Sequence, residues 1–200
     1  MKWNRLIIQS VGSLGILQMT NYLVPVLVIP LLLARVGLEN YGMIVVAQGI
    51  MNFAVAITDF GLNLTGTRLI SLAKGDLGLE CTLTQKILVI KIFLLLGTFI
   101  GLVFLVKTVS PWEPYEYLIL TSYFIVIGNT LMPVWYFQGI QKMKWLALLN
   151  FLSRIFYVGA VLFFIESGED LLWVNVYNGM GWCIAAFFGW VVLFRKMQFR

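Results

Sequence analysis

Hydrophobic residues fall in long, nearly unbroken runs along the chain, separated by short polar clusters, instead of alternating with polar ones. A bilayer core about 30 Å thick takes roughly 20 apolar residues at about 1.5 Å rise each. Six stretches meet that length, at about residues 8–34, 41–64, 87–106, 117–138, 145–165 and 171–194. A barrel would show alternation in segments of about ten residues, and none appears. The pattern predicts an all-α membrane protein of six transmembrane helices over residues 1–200, with no soluble domain.

Composition agrees. The 200 residues are 60% hydrophobic and 12% charged, about half the usual share of charge, so polar side chains are too few to cover a soluble surface. That excludes a soluble enzyme, a disordered tail and a nucleic-acid module. The run at 6–34 is much longer than the roughly 7–15 residues of a signal-peptide core, so it reads as a retained helix.

No catalytic constellation appears. Histidine is absent, which removes imidazole catalysis and His-ligated metals, and Cys81 and Cys183 stand far apart in unlike contexts. There is no GxSxG elbow, phosphate-binding loop, HExxH pair or pair of carboxylates on one span. The chain is expected to be no enzyme, with no catalytic residue and no metal site.

The net charge of +5 is a topology signal. With the N-terminus in the cytoplasm, that side collects 10 basic residues (Lys2, Arg5, Arg68, Lys74, Lys86, Lys142, Lys144, Arg195, Lys196, Arg200) against Arg35 and Lys107 opposite. Both termini are therefore expected in the cytoplasm. Trp3, Trp112, Trp145 and Trp173 near span ends fit an interfacial belt. Residues 68–86 read as a broken amphipathic helix along the cytoplasmic face, interrupted at Gly75 and Gly78.

Ionisable residues inside spans are costly and need a reason. Arg154 sits near mid-membrane, with Asn150 and Tyr157 on its face at i−4 and i+3. It reads either as a cationic site for phosphate or another anion, or as half of a structural pair. Gln48, Asn52, Asp59 and Asn63 form a stripe on the second span, facing the bundle or a cavity. Asp59 is then a coupling-ion ligand or the partner of Arg154 or Lys91. Lys91 is close enough to the cytoplasmic boundary to snorkel, and Arg35 reads as an anchor. Pro25 and Pro30 should bend the first helix beside Gln18, Asn21 and Tyr22, making it a cavity-lining element. The aromatics Trp135 to Phe137, after Asn129 and Pro133, read as interfacial anchors.

Three segments carry a resemblance: Asn21-Tyr22-Leu23-Val24-Pro25 with Ile29-Pro30-Leu31, Arg35-Val36-Gly37 and Tyr41-Gly42; Thr58-Asp59-Phe60-Gly61-Leu62-Asn63-Leu64 with Gly66-Thr67-Arg68; and Pro133-Val134-Trp135-Tyr136-Phe137-Gln138-Gly139 leading into Lys142-Met143. In this order they resemble the bacterial polysaccharide flippase family (Wzx-type O-antigen transporters), within the superfamily of multidrug and polysaccharide exporters. The resemblance implies one six-helix lobe of a MATE-like, two-lobe, alternating-access transporter in the bacterial inner membrane. It implies a lipid-linked oligosaccharide cargo carried on undecaprenyl pyrophosphate, coupling to H+ or Na+, and no resident cofactor. Arg154, Asn150, Tyr157 and Lys91 would then contact substrate, while Asp59, Asn52, Gln48, Asn63, Asn21 and Pro25 would line the cavity or couple the ion.

Implied partners are membrane lipids and the polysaccharide polymerase and chain-length machinery, with no nucleic acid. Family members have about twelve spans, so a second lobe or a parallel homodimer is expected. Two rivals are a cation or multidrug exporter of the same fold, which would favour carboxylates in the cavity, and a non-transporting membrane assembly factor.

Overall fold

In lipid, backbone N–H and C=O groups must be satisfied within the protein, and apolar runs do this as helices. The computed structural model describes Gly15, residues 22–108 and residues 115–198; among them every regular element is helical. The helices are α1 (Tyr22–Val36), α2 (Leu38–Asp59), α3 (Leu62–Leu72), α4 (Leu77–Thr108), α5 (Glu116–Ser122), α6 (Phe124–Leu131), α7 (Val134–Gly139), α8 (Met143–Phe164) and α9 (Leu171–Gln198). A short 3-10 turn, Gly168–Asp170, precedes α9.

Among the described residues, five helical stretches are long and apolar enough to cross a membrane: Leu38–Leu72, Leu77–Thr108, Glu116–Gly139, Met143–Phe164 and Gly168–Arg195. The apolar helix α1 is shorter over its described residues. Large apolar side chains such as Phe53, Phe93, Ile100, Phe104 and Phe163 remain exposed, as a lipid-facing surface requires. This is an all-α, multi-pass membrane protein.

Two of the spans are broken. α2 passes into α3 through Phe60 (φ 39°) and Gly61 (φ 75°), both in the left-handed region. Glycine enters that region freely, whereas phenylalanine does so at a cost. α6 passes into α7 through Met132 and Pro133, where the extended Met132 is the conformation a following proline favours. The Thr58 and Thr130 hydroxyls, just before the two breaks, share a 2.7 Å hydrogen bond, so the breaks stand side by side.

Beyond the breaks, α3 and α7 pack closely. A Cβ on Gly139 would fall 2.7 Å from Ile70, and one on Gly66 would fall 3.0 Å from Trp135. α9 packs against α2, α5, α6 and α8, and here too glycines set the spacing: a Cβ on Gly128 would meet Cys183 N at 2.5 Å, and one on Gly179 would meet Phe124 at 2.5 Å. Small residues of this kind let helix backbones approach where lipid supplies no hydrophobic drive for association.

Three expectations need correction. Residues 68–86 do not form a surface helix: α3 runs to Leu72, a turn follows, and α4 starts at Leu77 with Gly78 already helical. Only Gly75, at φ 108°, interrupts. Glu80 anchors the turn, its carboxylate accepting from Gly75 N–H at 3.2 Å and from the Tyr136 hydroxyl at 2.9 Å. Trp135, Tyr136 and Phe137 are not interfacial anchors; all three are buried at the centre of an apolar cluster spanning α3, α4, α7, α8 and α9. Lys91, finally, does not snorkel, being buried with its ammonium turned to Asp59.

Candidate functional site: two separate cationic clusters

The first cluster gathers at the α2–α3 break. Lys91 Nζ of α4 lies 3.3 Å from Asp59 Oδ1 and donates to Asn63 Oδ1 at 3.1 Å. It also stands 4.5 Å from the Trp135 ring centroid, over a π face that attracts a cation. Asp59 Oδ1 accepts from Asn63 N–H as well (3.2 Å), which satisfies one of the free donors at the start of α3. The Lys91 charge is therefore met on three sides by protein. This cluster holds the broken helix in shape.

The second cluster lies on α8. Arg154 is near the middle of a helix whose 22 residues span about 33 Å, so it sits roughly 16 Å from either end. Its guanidinium carbon is 5.2 Å from the Trp182 ring centroid on α9. Arg154 forms no salt bridge among the described residues, and its buried Nε has no hydrogen-bond partner. One turn earlier, the buried Asn150 Oδ1 also lacks a partner. Buried polar groups are nearly always paired, so these two orphan atoms one turn apart set this stretch of α8 apart; Trp135 Nε1, beside Lys91, is a third. Tyr157, on the same face, is buried with α1 and α9 residues in an apolar cluster.

The polar stripe of the second span divides. Gln48 Nε2 donates to Asn175 Oδ1 (2.8 Å), and Asn175 Nδ2 donates to Ser122 Oγ (2.8 Å), linking α2, α9 and α5. Asp59 and Asn63 turn instead to α4, and Asn52 is exposed. Gln48, Asn52 and Asp59 all lie on α2, before the break, and they part because the neighbouring helices change along its length; across Phe60–Gly61, Asn63 still joins Asp59 at Lys91. Lys91 and Arg154 likewise belong to different clusters. Pro25 is exposed on α1, which runs helically through both prolines, and Asn21 and Gln18 lie outside the described residues.

Arg35 has a structural place. Its Nη1 donates to the carbonyls of Val161 (3.0 Å), Leu162 (2.9 Å) and Ile165 (2.6 Å), capping the C-terminal end of α8 from the end of α1. A cation there also complements the helix dipole. Gly37 (φ 83°) then turns the chain directly into α2. The sequence reading missed Trp182 and Asn175; a tryptophan and an asparagine on the last span were the available signals.

The model of the family described as "Polysaccharide biosynthesis protein" matches residues 7–200. The chain belongs to this family. Two curated proteins, each named "Putative O-antigen transporter", are similar to it. The one from Escherichia coli (strain K12) is 30% identical over 163 residues, 82% of this chain and 39% of the relative. The one from Shigella dysenteriae is 24% identical over 181 residues, 90% of this chain and 44% of the relative. The chain thus spans less than half the length of either relative. No solved structure matches it significantly. Family membership places the two clusters in a membrane protein of the polysaccharide-biosynthesis family.

Proposed function

We propose that the protein is a polysaccharide flippase: it moves a lipid-linked oligosaccharide across the bacterial inner membrane, as part of a transporter of about twice this chain's size. The unpaired Arg154 carries the reading. A half-buried guanidinium without a carboxylate favours an anionic ligand, and in a low-dielectric setting its attraction for a phosphate is greater than in water. Asn150 stands beside it as a polar neighbour. The relatives' names point to O-antigen as the saccharide class.

The remaining assignments follow from this reading. Both termini lie in the cytoplasm, following the excess of basic residues in the loops of that side. The six helices form one MATE-like lobe that works against a second lobe or a parallel copy, and the polymerase and chain-length enzymes are the natural downstream partners. Transport is coupled to H+ or Na+, with Asp59 as the coupling carboxylate where the Lys91 pair opens. The cation-exporter alternative is weaker, because the unpaired charge at mid-span, Arg154, is itself a cation and repels such a cargo.

The test is complementation. A strain lacking its own flippase, given the protein expressed from its own gene, should display surface polysaccharide. Arg154→Gln should abolish the display at equal membrane levels, and Arg154→Lys should restore part of it. Normal display from Arg154→Gln would overturn the reading.

A further inference from the structure

Between α1 and α8 lies a crevice of about 400 Å³, a size typical of ligand pockets. Its walls are Leu23 and Leu27 of α1 and Ile155, Val158 and Gly159 of α8, and among the described residues the one charged side chain lining it is Arg154. Leu23, Leu27 and Ile155 are each more than half exposed, so the crevice is open along its side. It is apolar, and it is formed by helices that belong to the membrane interior, where hydrocarbon chains surround the protein.

Two features bound it. At one end Arg35 ties α1 to the last carbonyls of α8, so the two helices cannot part there. Along α1, Pro25 and Pro30 lack the N–H that would complete the ladder, so this wall of the crevice flexes more easily than an unbroken helix. The two helices are thus pinned at the Arg35 end and freer toward Leu23.

The charge pattern identifies the occupant. Arg154 lines the crevice, its guanidinium carbon lies 5.2 Å from the Trp182 ring centroid, and its Nε is unpartnered. A simple alkane would fill the crevice and leave that cation uncompensated, and a free phosphate would compensate the cation and leave the crevice empty. An amphiphile with a phosphate at the head of a hydrocarbon chain answers both.

We propose that the α1–α8 crevice seats the hydrocarbon chain of the phosphate-linked lipid carrier, placing its phosphate at Arg154. This rests on the flippase reading and adds to it the place where the lipid half of the cargo rides. The carrier would then travel against the side of this lobe, with the sugar outside the crevice.

Gly159 makes the claim testable, since a Cβ built there meets no atom within 4 Å and a larger side chain projects into open space. A benzophenone amino acid at Leu27, in the protein expressed from its own gene in cells making the polysaccharide, should on irradiation yield an adduct whose mass reports lipid, phosphate and sugar. Gly159→Phe and Arg154→Gln should each cut the adduct about tenfold, equivalent to roughly 1.4 kcal/mol of binding, and Gly159→Ala should not. Leu23→Trp serves as a second filling variant should Gly159→Phe fail to accumulate. Adducts to ordinary phospholipid alone, to another protein segment, or to nothing would overturn the proposal. If such an outcome accompanies loss of surface display in Arg154→Gln, the crevice assignment fails while the flippase reading stands; normal display in Arg154→Gln removes both.

Discussion

Lys91 and Asp59 stand 3.3 Å apart between α4 and the end of α2, the ammonium 1% exposed and the carboxylate 30%. Neither charge can be removed alone without leaving the other poorly compensated in an apolar setting. Asp59→Asn or Lys91→Met is expected to cost about 3 kcal/mol, toward the low end for breaking a buried pair because Asp59 keeps some exposure. The double substitution Asp59→Leu with Lys91→Met should recover most of that loss. Thermal unfolding of the purified protein in detergent, run as a four-member cycle, measures it; additive losses would show that the pair does not hold the α2–α3 break.

Arg35 closes the end of α8, so its loss should loosen α1 from α8. Arg35→Ala is expected to lower stability by about 1–2 kcal/mol through lost charge-assisted bonds at a helix C-terminus. Arg35→Lys, with a point charge in place of the guanidinium, should retain roughly half of that. A cysteine pair engineered between α1 and α8 near Val36 and Ile165 should cross-link more slowly in Arg35→Ala. An unchanged rate would mean that the helices are held by apolar packing alone.

Glycines divide into contact and open positions, and the two classes should respond differently. Alanine at Gly128 or Gly179 would push its Cβ to about 2.5 Å from the facing helix, so α6 and α9 must separate. Such overpacking costs about 1–3 kcal/mol or more, and these variants should accumulate poorly in the membrane. Alanine at Gly97 or Gly101, where a Cβ meets nothing within 4 Å, should be tolerated. Western blots of membrane fractions at equal expression separate the two outcomes.

Much of the fold was legible because lipid imposes a strong rule on the backbone. Apolar runs of sufficient length leave helices as the only economical structure, and the all-α membrane class follows from that alone. The breaks were harder. Phe60–Gly61 and Met132–Pro133 fall inside apolar runs, and the first rests on two left-handed residues that no periodicity reveals. Gln48 and Asp59 do share a face of α2, but about 16 Å apart along it they meet different neighbours, α9 and α4 respectively.

The burial of Trp135–Tyr136–Phe137 was missed for a related reason. A tryptophan–tyrosine pair near a span end has the composition of an interfacial belt, and only the close fit of Gly66 and Gly139 against α7 reveals a packed core. For Lys91, sequence could offer two partners, solvent or Asp59, and the approach of α4 to the α2–α3 break decides in favour of the carboxylate. Arg154 was legible as an oddity at mid-span; that its Nε and Asn150 Oδ1 both lack partners is visible only in three dimensions.

The central claim is that Arg154 is kept unpaired in order to meet the phosphate of the cargo. Binding of a lipid-linked oligosaccharide to the purified protein, expressed from its own gene, tests it most directly, with Arg154→Lys and Arg154→Gln compared against the unaltered protein. Loss of a charge-assisted contact worth about 1.5–3 kcal/mol should weaken binding by roughly ten- to a hundredfold in Arg154→Gln, and less in Arg154→Lys. The same lipid without its phosphates should bind all three proteins equally. Equal affinity of Arg154→Gln and the unaltered protein for the phosphorylated lipid would contradict the account.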